Sequence, residues 1–161
     1  MPGINQTRGA ILEEIVLHLL IIVGYRIVSE HEEGVQLGSS GLEVQGRGDW
    51  HQIDGLAAWD RSPSFMYPLR LMVEAKCYAK ERRIGIGIVR NAVGVLKDIS
   101  ENYFSKLIDD NEIRMPRFNY LSAIFSTSQY TENAQRYAVA HQIFLIQYEN
   151  VPIAYSGQVD Q

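Results

Sequence analysis

Glu74 and Lys76 stand two residues apart in Leu69-Arg-Leu-Met-Val-Glu-Ala-Lys76, a run that reads as a strand. Strand side chains alternate between faces, so Leu69, Leu71, Val73 and Ala75 share one face and Arg70, Met72, Glu74 and Lys76 the other. An acid beside an amine, with an apolar face behind them, forms a polar patch able to share a metal ion and a water. The same two residues also suit an ordinary strand-end ion pair. Asp54 lies in Trp50-His-Gln-Ile-Asp-Gly55 and faces Glu74 if the two strands pair, while Gly55 leaves space for backbone or ligand beside it. Converging carboxylates repel unless a cation sits between them, and hard oxygen ligands select Mg²⁺, with Mn²⁺ as its substitute. Asp49, near a glycine-rich loop, is the competing carboxylate and reads as solvated. His51 is the histidine nearest this cluster in sequence.

A third acid comes from the first predicted helix, Arg8 to Val23, which ends at Gly24, a residue suited to the left-handed position after a helix. At 100° per residue Glu13 falls on the stripe of Val16, Leu17 and Leu20, whereas Glu14 lies one turn from His18, where the two can pair at the surface. Glu13 is therefore the functional candidate. Residues 70–90 carry Arg70, Lys76, Lys80, Arg82, Arg83 and Arg90 against Glu74 and Glu81, a local basic excess that suits a phosphate track or a solvated loop. Ser126 and Ser128, after a predicted strand, offer hydroxyls to phosphate or to the cap of the next helix.

The elements that must position these groups read as helix, several strands, helix, strand, helix, strand. Strands are expected at Arg26–Ser29, Trp50–Trp59, Leu69–Lys76, Tyr120–Phe125 and Ile143–Tyr148, and helices at Ile86–Tyr103 and Thr131–Ala140. His31–Gly48 reads as an exposed loop with a ragged strand, and Asp109–Pro116 as a polar loop. This order predicts an α/β fold with a central mixed sheet flanked by helices.

The chain has 161 residues, a net charge of -4 and a pI near 5.5, so one domain over 1–161 is expected and any polyanion site must be local rather than global. A single cysteine, Cys77, excludes an intrachain disulfide and a cysteine-based zinc site and suits the cytoplasm. The apolar run from Ile11 to Val23 is broken by Glu13, Glu14 and His18, so no membrane partner is expected.

Three separated segments resemble the PD-(D/E)xK nuclease superfamily, and within it the Mrr-like restriction endonucleases. Leu12 to Leu20 with Gly24-Tyr25 is similar to the family's first helix, with its acid on Glu13. Gln52-Ile-Asp54-Gly55 and Val73-Glu-Ala-Lys76 are similar to the catalytic strands, although Ile53 stands where the name-giving proline would be. Ala123 to Ser128, with Tyr130-Thr131 and Ile143 to Ile146, is similar to the segments that close the core. The resemblance implies a restriction-endonuclease-like core and Mg²⁺-dependent cleavage of DNA phosphodiesters. Glu13, Asp54, Glu74 and the Ala75 carbonyl would serve the metal, Lys76 the attacking water, and Lys80, Arg82, Arg83, Arg90, Ser126 and Ser128 the DNA. It further implies a homodimer, with a separate specificity subunit as a possible partner. A catalytically inactive DNA-binding or complex-forming module of the same fold is the alternative.

Overall fold

The computed structural model describes residues 4–79, 81–108, 111–116 and 118–148. In chain order the elements are α1 (Ile4–Ile22), β1 (Arg26–Ile27), β2 (Val35–Leu37), β3 (Leu42–Gln45), β4 (Trp50–Gln52), β5 (Gly55–Trp59), β6 (Leu69–Lys76), α2 (Ile86–Ser100), β7 (Tyr103–Ile108), β8 (Asn111–Pro116), β9 (Asn119–Ser126), α3 (Glu132–Ala140) and β10 (Ile143–Gln147). A central sheet runs β1-β5-β6-β9-β10. Its first two junctions are antiparallel and its last two parallel, which makes it mixed. The parallel junctions need crossovers, and α2 and α3 supply them.

Strand alternation sorts the core. Leu71, Val73 and Ala75 of β6 face α1, packing with Leu12, Val16 and Leu20 and with Ala57, Ala123 and Phe125. Leu56, Ala58 and Met72 face the other way, against Val35, Val44 and Ile53 of the β2-β3-β4 segment and Ile99 of α2. Farther along that face Ile124 meets Val89 of α2, Ala134 and Ala138 of α3, and Tyr130. Helices thus flank both faces, as the element order predicts. Gly24 holds φ +106 after α1, a backbone that disfavours any residue with a Cβ.

Four local expectations are corrected. The single strand expected over Trp50–Trp59 is two strands in different sheets, because the amide of Ile53 bonds Leu42 O at 2.9 Å while that of Asp54 bonds Val73 O at 3.2 Å. The chain changes sheets between those two residues. His31–Gly48 holds two strands, β2 and β3, paired as a hairpin. The polar loop expected over Asp109–Pro116 contains β8, which pairs with β7, and α2 stops at Ser100 rather than Tyr103. In that segment Ile113 and Met115 alternate with Glu112 and Arg114, a two-residue period that the charges disguise as a loop.

Candidate active site

The register of β5 against β6 pairs Gly55 with Val73, so the chain just before Gly55 lies beside the Glu74–Lys76 end of β6. There the strands part, and Asp54 fills the gap. Its Oδ2 accepts a hydrogen bond from the Ala75 amide at 2.6 Å. A strand residue directs its N–H and C=O to the same edge, so the Ala75 carbonyl shares the edge that Asp54 occupies. Glu74 and Lys76, on the opposite face from Ala75, form a direct ion pair.

Helix α1 reaches this point through a close approach. A Cβ on Gly55 would lie 2.6 Å from Leu17 Cδ2, so the missing side chain admits Leu17 rather than a ligand. Glu13 stands one turn before Leu17, and the charges of Asp54, Lys76 and Glu74 all act on it. The four residues singled out in sequence therefore meet electrostatically.

Three carboxylates against one amine leave the cluster short of positive charge. Burial, then the charge of Asp54, pushes Glu13 above the ordinary carboxylate range; Lys76 opposes this and Glu74 adds to it. Glu74 is also raised, by burial first, with the hydrogen bond from Lys76 opposing and Asp54 reinforcing. Burial works against the Lys76 cation, but the bond and charge of Glu74, then the charge of Asp54, outweigh it and hold the amine above its usual value. Lys76 is a cation at neutral pH.

Among the described residues no three of His, Cys, Asp and Glu stand close enough to hold one metal ion. The acids are thus not a preassembled three-ligand cage, and Glu13 acts on the site by charge. A two-carboxylate site does fit the donors: Asp54, Glu74 and the Ala75 carbonyl are all hard oxygens, and Mg²⁺ commonly takes one or two carboxylates and keeps several waters. A depression of about 30 Å³ opens beside Glu74, lined by Gln52, Asn91 and Ser122 among apolar neighbours.

The chain leaving β6 carries the exposed Arg82 and Arg83, with Arg90 exposed on α2. The Arg82 guanidinium lies 4.1 Å from the Tyr78 ring centroid and that of Arg90 5.6 Å from that of Tyr137, both within cation–π range of an aromatic face. Lys80 lies outside the described residues. Ser126 and Ser128 do not join this track: both are buried, with their hydroxyls 3.1 Å apart and Ser126 Oγ accepting the Ser128 amide. Arg70 leaves it as well, being 2% exposed, bonded to Glu32 and stacked on Phe118. Asp49 is exposed and accepts the Trp50 amide, while His51 Nε2 bonds Asp98 Oδ2 at 2.7 Å. Asp98 escapes the sequence reading, although an acid in the last turn of a helix opposes the helix dipole and so signals a compensating partner.

No protein-family model matches the chain, and no curated protein matches it. Among solved structures it is similar to AF1548, described as a protein of unknown function, with a TM-score of 0.58 and 19% identity over 88% of this chain and 60% of that one. It also aligns with the MspJI restriction endonuclease in complex with a 27-mer oligonucleotide (TM-score 0.48, 17% identity, 86% of this chain, 25% of that one). A third alignment is with the DNA modification-dependent restriction endonuclease AspBHI (TM-score 0.45, 15% identity, 86% and 27%). The chain spans 60% or less of each of these proteins. What the first likeness establishes is the fold, a mixed α/β core shared with AF1548.

Proposed function

We propose that this chain is a divalent-metal-dependent DNA endonuclease with a restriction-endonuclease-like core of the Mrr-like kind. The observation that carries the reading is the meeting of Glu13, Asp54, Glu74 and Lys76, from α1, the link between β4 and β5, and β6, in a patch where burial and neighbouring charge raise two of the acids. Perturbed carboxylates clustered at a strand end support the reading of a site tuned for chemistry.

In this reading Asp54, Glu74 and the Ala75 carbonyl hold Mg²⁺ or Mn²⁺, and Glu13 deepens the negative potential that attracts it. The ion, when bound, supplies a more acidic water and neutralises a phosphate oxygen. Lys76, kept protonated by Glu74, orients the attacking water and offsets the charge that develops on the phosphorane-like transition state. Arg82, Arg83 and Arg90 grip backbone phosphates, a role that gives affinity without reading sequence. A homodimer that cuts both strands, and a separate subunit that reads the target, extend the same reading.

One observation favours the alternative, a module of this fold that binds DNA without cutting it: Glu74 and Asp54 already hold partners within the chain, Lys76 and the Ala75 amide. Incubation with supercoiled, linear, methylated and branched DNA, with and without Mn²⁺, separates the two. Metal-dependent cleavage that falls at least about 100-fold in Asp54→Ala and Lys76→Ala, with folding intact, is expected of the enzyme. Binding with no turnover in either metal overturns it in favour of the module.

A further inference from the structure

We infer that Asp98 is a positioning residue for Asp54, acting through the turn between β3 and β4; its bearing on cleavage rests on the reading of Asp54 as a metal ligand. Asp98 sits at the C-terminal end of α2, where the helix dipole disfavours an acid. It is held there by donors from the turn. The Gly48 amide reaches its two oxygens at 3.0 and 3.1 Å, the Asp49 amide lies at 3.4 Å, and His51 Nε2 at 2.7 Å. The Arg47 amide bonds the Asp98 carbonyl at 3.0 Å. Asn102, just past the helix, donates to Gln45 O at 3.1 Å, and Arg47 pairs with Glu101 at 3.5 Å. The His51 bond, followed by the Gly48 and Asp49 amides, keeps Asp98 below the ordinary carboxylate range although burial opposes it. The fit is tight enough to demand glycine at 46, since a Cβ there would lie 2.0 Å from Asp98 Oδ2 and 2.8 Å from Asp49 O.

The grip matters because the turn leads directly into β4 and Asp54. β4 is three residues long and, among the described residues, pairs with β3 alone, at the edge of its small sheet. Its last residue is two positions before Asp54, and the chain changes sheets at Ile53-Asp54. Asp54 itself lies between β4 and β5, with its amide on Val73 O of β6 at 3.2 Å. Its carboxylate position is therefore set from two sides, by β6, through the Ala75 amide and Val73 O, and by the β4 segment, which Asp98 ties to α2 by hydrogen bonds.

The test reads Asp54 without metal. The Ala75 amide points to the Asp54 edge and the Glu74 amide to the β9 edge, so their hydrogen-exchange rates, measured by NMR, separate local displacement of Asp54 from general loosening. Asp98→Asn, which keeps shape and removes charge, is expected to speed Ala75 exchange about tenfold and leave Glu74 unchanged. His51→Ala is expected to move Ala75 the same way by less. Mn²⁺ affinity of Asp98→Asn, titrated in parallel, is expected to fall about tenfold. Ala75 exchange that stays as in the wild type, or that rises together with Glu74, overturns the proposal, and so does faster Ala75 exchange with Mn²⁺ affinity unchanged. Wild-type protein that takes up no Mn²⁺ defeats the metal reading instead, a failure distinct from the metal-free exchange result.

Discussion

The two ends of β6 carry opposite kinds of charge cluster. At its start, Arg70 and Arg26 share Glu32, and Arg26 also binds Asp60 at 2.8 Å. There the cations satisfy the acids: burial opposes ionisation of Glu32, but the hydrogen bond and charge of Arg26 outweigh it, and Arg26 likewise lowers Asp60. At the other end Glu13 and Glu74 are pushed up, by burial first and then by the charge of Asp54, with one amine to oppose three acids. A strand that closes one cluster and leaves the other electrically open separates an ionic clamp from a group of acids left short of positive charge.

The largest expected effect breaks the closed end. Arg70 is 2% exposed, and Arg70→Ala leaves Glu32 with Arg26 as its one remaining cation of the two and empties the face of Phe118. Loss of a large buried side chain costs about 3 kcal/mol, which for a chain of this size lowers Tm by about 10 °C. Urea and thermal unfolding monitored by circular dichroism check it. A change within about 2 °C would mean that the clamp contributes as little as a surface pair and that the contrast between the ends is one of geometry alone.

The intermediate effect tests the open end. Glu74→Gln removes one of the clashing acids while preserving shape, so Tm is expected to rise by about 2 °C at pH 7 even as cleavage is lost. Added Mn²⁺, expected to stabilise the wild type, should then do nothing for the variant. Differential scanning fluorimetry with and without Mn²⁺ reads both. A fall in Tm comparable to that of Arg70→Ala would make Glu74–Lys76 a second structural clamp.

How much of this was legible in the sequence depends on how local the cause is. Alternation along Leu69–Lys76 reveals which side chains of β6 point together, and helical spacing puts Glu13 on the stripe that meets the sheet, because both patterns arise within one element. The partition of Trp50–Trp59 was not legible: whether Ile53 and Asp54 bond the same sheet depends on Leu42 and Val73, residues far away in the chain. Ser126 and Ser128 look like phosphate donors until parallel pairing buries the end of β9 between β6 and β10. Arg70 reads as one more cation in a basic run, and only the approach of Glu32 and Phe118 makes it a core residue. Charge along a sequence carries no sign of burial. Among the described residues, burial takes Arg70 out of the basic track and leaves Arg82, Arg83 and Arg90 exposed.

The smallest effect concerns Glu13, and its sign comes from proton linkage. An acid whose affinity for protons is higher in the folded state than its ordinary value of 4.5 makes the folded protein bind more protons than the unfolded one. Stability from this group is therefore lost as pH rises from 4.5 through the higher folded value, the reverse of the clamp at the other end, where Glu32 and Asp60 lose stability as pH falls below 4.5 and 3.8. Glu13→Gln should match the wild type below pH 4.5, where both side chains are neutral, and exceed it at pH 7. Solvent around Glu13 screens the effect, so a difference of about 1 °C in Tm is expected at pH 7. Mn²⁺ should shrink that gap, since a cation between Asp54 and Glu74 removes the repulsion that the substitution relieves. Thermal unfolding of the pair from pH 4 to pH 8 decides it. A constant gap across that range would trace the gain to helix propensity in α1, and Glu13 would then have no part in the charge balance of the site.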